Sequence, residues 1–273
     1  MNNFENVLIC TDLDGTLLRS DRTISSENIQ AIEYFKSKGG YFTFITGRMP
    51  YYVYDMYYAI KPNAPIGCIN GGGLYDFRSE KYIWTNPMTE NIIPLIECID
   101  NAFPNIGIQI NTLNDAYFCK DNETMRIFRR ATNLPNLNKS YRDLVKETSK
   151  VIFGTEDEEE ILAAEQMLRN HPLAEKFDFI RSEKTLFEIL PKGTNKGVSI
   201  LKLAEYLKID VNKTIAIGDY NNDISMFKAA KIGIAVENAC PDAKAAADII
   251  TVTNDEHAIA KVIYDLECGN IKF

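Results

Sequence analysis

Short apolar runs that stop abruptly at acids or hydroxyls constrain this chain more than any other feature. NVLICT (6–11) stops at Asp12, YFTFIT (41–46) runs into Thr46-Gly47-Arg48, and TIAIG (214–218) stops at Asp219. Runs of this length and composition read as buried strands. Between the first two lies SSENIQAIEYFKSKGG, where Ile29, Ile32 and Phe35 recur at helical spacing. Ser25 is placed to cap the start of that helix, and Gly39-Gly40 to end it. Strand, helix, strand makes a βαβ unit, whose sheet binds ligands at the carboxyl ends of its strands. The last third repeats the style, with an amphipathic helix in GVSILKLAEYLKI and short strands in TIAIG and IGIAV.

The middle of the chain breaks this rhythm. From about Trp84 to about Leu190, strand-like stretches (IGIQINTL, DAYFCK, KVIFGT, LFEIL) and the helical EDEEEILAAEQMLRN alternate less regularly. The fold class expected is therefore α/β: a doubly wound, Rossmann-like parallel-sheet core from residues 1–83 and 191–273, interrupted by an α+β insertion at 84–190. A length of 273 residues with 45% hydrophobic content supports two such domains. The net charge of -8 argues against a nucleic-acid or anionic-membrane partner, which Lys and Arg would have to hold. Six scattered cysteines without CxxC pairs read as free thiols. With no cationic stretch before the first apolar run and no span of roughly 20 apolar residues, a cytoplasmic location is expected.

The chemistry gathers at the predicted strand ends. Asp12 and Asp14, on one face if the strand continued, would repel by roughly 4 kcal/mol at about 4 Å and an effective dielectric near 20. A bound cation, or a proton held by one acid of the pair, is the usual compensation. An EF-hand fails: from Asp12 its sixth and twelfth places fall on Leu17 and Thr23, and from Asp219 on Ile224 and Ala230. There is no Walker A loop, and Gly71-Gly72-Gly73 is not a GxGxxG fingerprint. What remains is a hard-cation site from Asp12, Asp219 and Asp223, with Lys196 and Thr46 available to a phosphoryl group. That donor set suits magnesium, Mg²⁺.

DLDGT, the hydrophobic-TGR stretch, Lys196 and GDYNND, in this order, resemble the four motifs of the haloacid dehalogenase superfamily. The insertion, INGGG and the closing ENACPDAKAAADIIT resemble its Cof-type subfamily, with a type IIB cap at 84–190. The resemblance implies a phosphatase with Asp12 as nucleophile and Asp14 as acid and base. It further implies Mg²⁺ ligation by Asp12, Asp14 through its backbone carbonyl, Asp219 and Asp223. Leu13, Thr46, Gly47, Lys196 and Asn222 would then hold the phosphoryl group, while Arg48 and Asn70 are candidates for substrate. Small phosphorylated metabolites are the expected partners, sugar phosphates first and phosphorylated cofactors next. A phosphomutase or a receiver-like phosphorylation switch are the alternatives. One departure stands out, since His257 occupies a place where related sequences carry Gly.

Several other features have plainer readings. Solvated turn acids account for any one acidic motif, though not for all four together. PYYVYDMYYAI reads as a helix with an aromatic core face, and Trp84 as a packing anchor. EDEEE reads as acids in a first helical turn, with Thr155 and Glu158 at capping-box spacing.

Overall fold

The computed structural model describes residues 4–273. They divide into two compact units, one running to Thr85 and resuming at Asn195, the other formed by Asn86–Thr194. The first unit opens with β1 (Leu8–Thr11), buried at every position. Helix α1 (Ser26–Ser37) follows, and the Ser25 hydroxyl accepts the Asn28 N–H at 3.2 Å. It buries Ile32 and Phe35; Gly39 takes the left-handed φ of 90° that ends the helix, and a Cβ added at Gly40 would lie 2.4 Å from the Phe35 ring. Strand β2 (Tyr41–Phe44) then pairs in parallel with β1, from Leu8↔Tyr41 to Thr11↔Phe44.

The tyrosine-rich run departs from expectation. It forms a 3-10 turn and a short helix α2 (Tyr54–Ile60), and only Pro50, Val53 and Ile60 of the run are buried. Tyr51 and Tyr58 are 67% and 58% exposed. Tyr54 and Tyr57 pack instead on Phe77, with ring centroids 5.1 and 4.1 Å away. Seven residues make under two turns, too few to turn a whole aromatic face inward. Strands β3 (Ile66–Cys68), β4 (Gly73–Asp76) and β5 (Lys81–Thr85) form an antiparallel sheet, joined to the β2 segment by a parallel Ile45↔Gly67 bridge.

The second unit contains α3 (Ile93–Ala102), β6 (Gly107–Asn111), β7 (Ala116–Lys120) and α4 (Glu123–Ala131). It continues with β8 (Lys150–Gly154), α5 (Glu158–Arg169), β9 (Phe177–Glu183) and β10 (Leu186–Pro191). Its antiparallel sheet has the order β7-β6-β8-β10-β9. One face carries Ile108, Ile110, Phe153 and Phe187 against Ile96, Ile161 and Leu168 of the helices. Full burial of each such side chain is worth about 1.5–3 kcal/mol. The other face packs Ile152, Phe118 and Leu186 on Met125 of α4, beside a buried Lys150–Glu188 ion pair at 3.1 Å. Helix α5 is capped by Asp157, whose carboxylate accepts the Glu159 and Glu160 N–H groups, and not by Thr155. The Thr155 hydroxyl donates to Glu160 Oε2 at 2.8 Å instead, because Asp157 stands two residues nearer the helix and satisfies two of its free amides.

The chain returns to the first unit with α6 (Lys196–Leu207), β11 (Thr214–Gly218), α7 (Ile224–Ala229), β12 (Ile232–Ala235), α8 (Pro241–Ala246), β13 (Ile249–Ile250) and α9 (Ala258–Glu267). The completed parallel sheet has the order β13-β12-β11-β1-β2. Helix α1 packs with α9 and α6 with α7, giving the doubly wound α/β arrangement. Strand order reverses between β1 and β11, the switch point at which such sheets bind ligands. No helix among the described residues is long and apolar enough to cross a membrane.

His257 takes up the left-handed conformation, φ 62°, that glycine would adopt without strain. His257→Gly is expected to stabilise the protein by about 0.5–1 kcal/mol, read as a higher Tm. Asp157→Ala should cost about 1 kcal/mol, and Thr155→Ala less; equal losses in thermal melts would contradict the assignment of the cap.

Candidate active site

The polypeptide leaves β1 at Thr11, and the Asp12 N–H donates to the Ile217 carbonyl of β11 at 2.8 Å. Residues 13–17 then form a tight turn in which Gly15 has φ 78°. A Cβ on Gly15 would lie 2.6 Å from Asp219 Oδ2, so glycine is required for both conformation and space. Asp12 and Asp14 therefore do not share a strand face. Their charges are compensated separately: Asp12 faces Lys196, and Asp14 faces Arg48. The turn sends the two carboxylates to different partners.

Lys196, the first residue of α6, is 1% exposed. Its Nζ donates to Asp12 Oδ1 and to Asp223 Oδ1, both at 2.6 Å. Two of three ammonium donors are thus engaged, and the third is suited to a phosphoryl oxygen. The other Asp223 oxygen accepts the N–H groups of Asp219 and Tyr220 at 2.8 and 3.0 Å, fixing the loop after β11. Asp219 Oδ1 accepts the Thr16 hydroxyl at 2.7 Å. One carboxylate oxygen from each of Asp12, Asp219 and Asp223 lies within 4.8 Å of the others.

The electrostatics follow from burial and crowding. Burial raises the Asp12 carboxyl well above its ordinary value; Lys196 opposes that shift, while Asp223, Asp219 and Asp14 reinforce it. Burial likewise pushes Asp219 up to about 6, with Asp223 adding to the rise and Thr16 and Lys196 opposing it. For Lys196, burial disfavours the charged form, but Asp12 and Asp223 outweigh it and hold the ammonium protonated.

The remaining sequence candidates lie around this cluster. Thr46, buried at the end of β2, accepts the Arg48 N–H on its hydroxyl at 3.2 Å. Arg48 sends two guanidinium N–H groups to Asp14, at 3.0 and 2.5 Å. Asn70 is buried against Gly47, and its Oδ1 accepts the Asn222 amide at 3.3 Å. Leu13 is buried in the turn between the two acids.

Asn238 carries a role that the sequence did not signal. Its amide donates to the Gly15 carbonyl at 2.8 Å, while its Oδ1 accepts the Asn254 N–H at 2.9 Å. Asn254 in turn donates to the Leu18 carbonyl at 2.9 Å, so two asparagines brace the acidic turn. The position of Asn238 within ENACPD was visible, but nothing local marks an asparagine as reaching a turn 223 residues away.

Comparison with known proteins agrees with this geometry. Residues 9–263 match the family model of haloacid dehalogenase-like hydrolases. The chain is 27% identical over 263 residues to 5-amino-6-(5-phospho-D-ribitylamino)uracil phosphatase YitU of Bacillus subtilis, covering 94% of this chain and 96% of that protein. A haloacid dehalogenase-like hydrolase from Bacteroides thetaiotaomicron superposes with TM-score 0.83 at 26% identity, covering 95% and 99% of the two chains. The HAD subclass IIB sugar phosphatase BT4131 shares the fold, with TM-score 0.83 at 24% identity over 97% and 100%. The chain belongs to the haloacid dehalogenase-like hydrolases.

Proposed function

We propose that this hydrolase is a Mg²⁺-dependent phosphatase of small phosphorylated metabolites. The observation that carries the reading is the buried lysine shared by two carboxylates at the carboxyl end of a parallel sheet, with a third carboxylate beside them. Asp12, Asp219 and Asp223 offer the hard oxygen donors that Mg²⁺ prefers, with the Asp14 carbonyl as a further ligand. The bound ion supplies charge stabilisation to the phosphoryl oxygens.

The chain's own groups carry the steps. An Asp12 carboxylate oxygen attacks phosphorus, and the bond from phosphorus to the ester oxygen breaks. Asp14 gives that oxygen its proton, and an aspartyl-phosphate is left on Asp12. Water then attacks the phosphorus, Asp14 takes its proton, and inorganic phosphate departs as the Asp12 carboxylate is restored. Thr46, Lys196 and the amides around Leu13 and Gly47 hold the phosphoryl oxygens throughout. Arg48 holds Asp14 in place through two guanidinium hydrogen bonds.

For the substrate, sugar phosphates come first and phosphorylated cofactors or their precursors next. Support comes from the name of the B. subtilis relative, which acts on a phosphorylated ribitylaminouracil. We assign residues 84–190 to substrate selection and the flanking segments to catalysis. The free cysteines fit a reducing, cytoplasmic setting.

Phosphate release from a panel of phosphorylated sugars, cofactors and nucleotides, with and without Mg²⁺, tests the reading. Metal-dependent release is expected, and Asp12→Asn should lower kcat on the order of 10³-fold or more. Folded protein that releases phosphate from no ester would overturn it.

The raised Asp219 carboxyl gives a signed pH dependence. In the metal-free protein the folded state holds this proton to higher pH than the unfolded chain does, so the Tm of the wild type relative to Asp219→Asn should fall as pH rises from about 4 to about 6. Mg²⁺ competes with the same proton, so its affinity by calorimetry should weaken as pH drops through about 6. A pH-independent affinity between 5 and 7 would contradict the assignment of Asp219 as a ligand.

A further inference from the structure

Asn70 sits outside the acidic cluster, at the centre of an unusual piece of backbone. Ile69, Asn70 and Gly71 are three consecutive left-handed residues, with φ of 55°, 53° and 94°. That conformation is free for glycine and tolerated by asparagine, but for the β-branched Ile69 it is an outlier. Strain of this kind persists only where the surroundings over-determine it.

The surroundings here are the loops of the phosphoryl site. The Ile69 N–H donates to the Arg48 carbonyl and the Asn70 N–H to the Thr46 carbonyl, each at 3.0 Å, so the turn grips the chain on both sides of Gly47. The Asn70 amide lies flat on Gly47, where a Cβ would come within 2.9 Å of its Oδ1 and 3.2 Å of its Nδ2. Its Oδ1 also accepts the Asn222 amide at 3.3 Å. A Cβ on Gly71 would fall 1.9 Å from the Asn195 carbonyl and 3.1 Å from the Lys196 N, so the same turn presses on the start of α6. One three-residue segment thus touches the Thr46 loop, the Asn222 loop and the helix that presents Lys196.

We propose that Asn70 is a positioning residue for the phosphoryl site, acting through Asn222, and does not itself contact substrate. The inference rests on the phosphatase reading and deepens it. At 1% exposure Asn70 has its amide face spent on protein neighbours, which departs from the substrate contact that sequence alone suggests for it. A buried asparagine in a left-handed turn supplies what few other residues can: tolerance of that backbone and an acceptor aimed at a neighbouring loop.

A double-mutant cycle separates the two roles. Asn70→Gly keeps the left-handed turn and removes the amide, and Asn222→Ala removes its partner. Two readouts are taken for each variant: steady-state kinetics on p-nitrophenyl phosphate with Mg²⁺, and the Kd of inorganic phosphate by calorimetry. Asn70→Gly is expected to raise KM and the phosphate Kd about tenfold and to change kcat less than about threefold, as loss of one site-ordering hydrogen bond implies. In the Asn222→Ala background the same substitution should add less than about twofold, because its partner is already gone. Asn70→Ala, which retains the backbone strain, should melt below Asn70→Gly.

Effects that multiply across the cycle would show Asn70 meeting the ligand independently and overturn the proposal. So would an Asn70→Gly protein with unchanged KM and phosphate Kd. Wild-type protein that binds phosphate without turning over any ester would defeat the phosphatase reading alone, and the Kd cycle would still decide the role of Asn70. Wild-type protein that neither binds nor turns over would remove both.

Discussion

One buried ammonium organises the site. Lys196 joins Asp12, which follows β1, to Asp223, which follows β11, so segments 27 to 184 residues from it in sequence meet at a single nitrogen. Removing these charges from water is expensive, and the cost is offset only because both carboxylates accept strong, charge-assisted hydrogen bonds. A buried ion pair of this sort is weak evidence for stability, since well-packed apolar residues often do as well. Its value is chemical. It holds a carboxylate oxygen at the carboxyl edge of the sheet, in a dry setting where fixed charges act strongly.

The second device is backbone conformation. Gly15 lets Asp219 approach the acidic turn, and the left-handed run at Ile69, Asn70 and Gly71 lets another turn approach three loops at once. His257 adopts the same region, and the loop there is kept by side-chain contacts. Asn254 still reaches the Leu18 carbonyl, and Asp255 accepts from the Ser20 backbone and hydroxyl. The histidine in that loop therefore sits in a strained conformation while the asparagine that braces the acidic turn keeps its place.

Much of the core was legible because its signals are local. Buried strands such as LICT and TIAIG, and the Ser25 cap of α1, are written in a few neighbouring residues, and the structure shows them. The acids at strand ends were legible as a set because a parallel sheet brings its carboxyl edges together. What failed depended on tertiary context. Strand β9 is half exposed along most of its length, so FDFIRSE carries no clear period, and Asp157 displaced Thr155 as a cap by one local hydrogen-bonding choice. The pairing of Arg48 with Asp14, and the burial of Asn70, were illegible because each depends on where a turn sends a side chain after its strand has ended.

The central claim, that Asp12 carries the phosphoryl group in transit, is open to direct capture. Asp14→Asn protein, deprived of the group that activates water, would be mixed with Mg²⁺ and phosphate-labelled p-nitrophenyl phosphate, whose leaving group needs no proton from Asp14, then quenched in acid and mapped by peptide mass spectrometry. Label confined to the peptide containing Asp12 is the result this account requires. Label on another residue, or turnover by wild-type protein with no acid-stable trace of label on Asp12 in the variant, would contradict it.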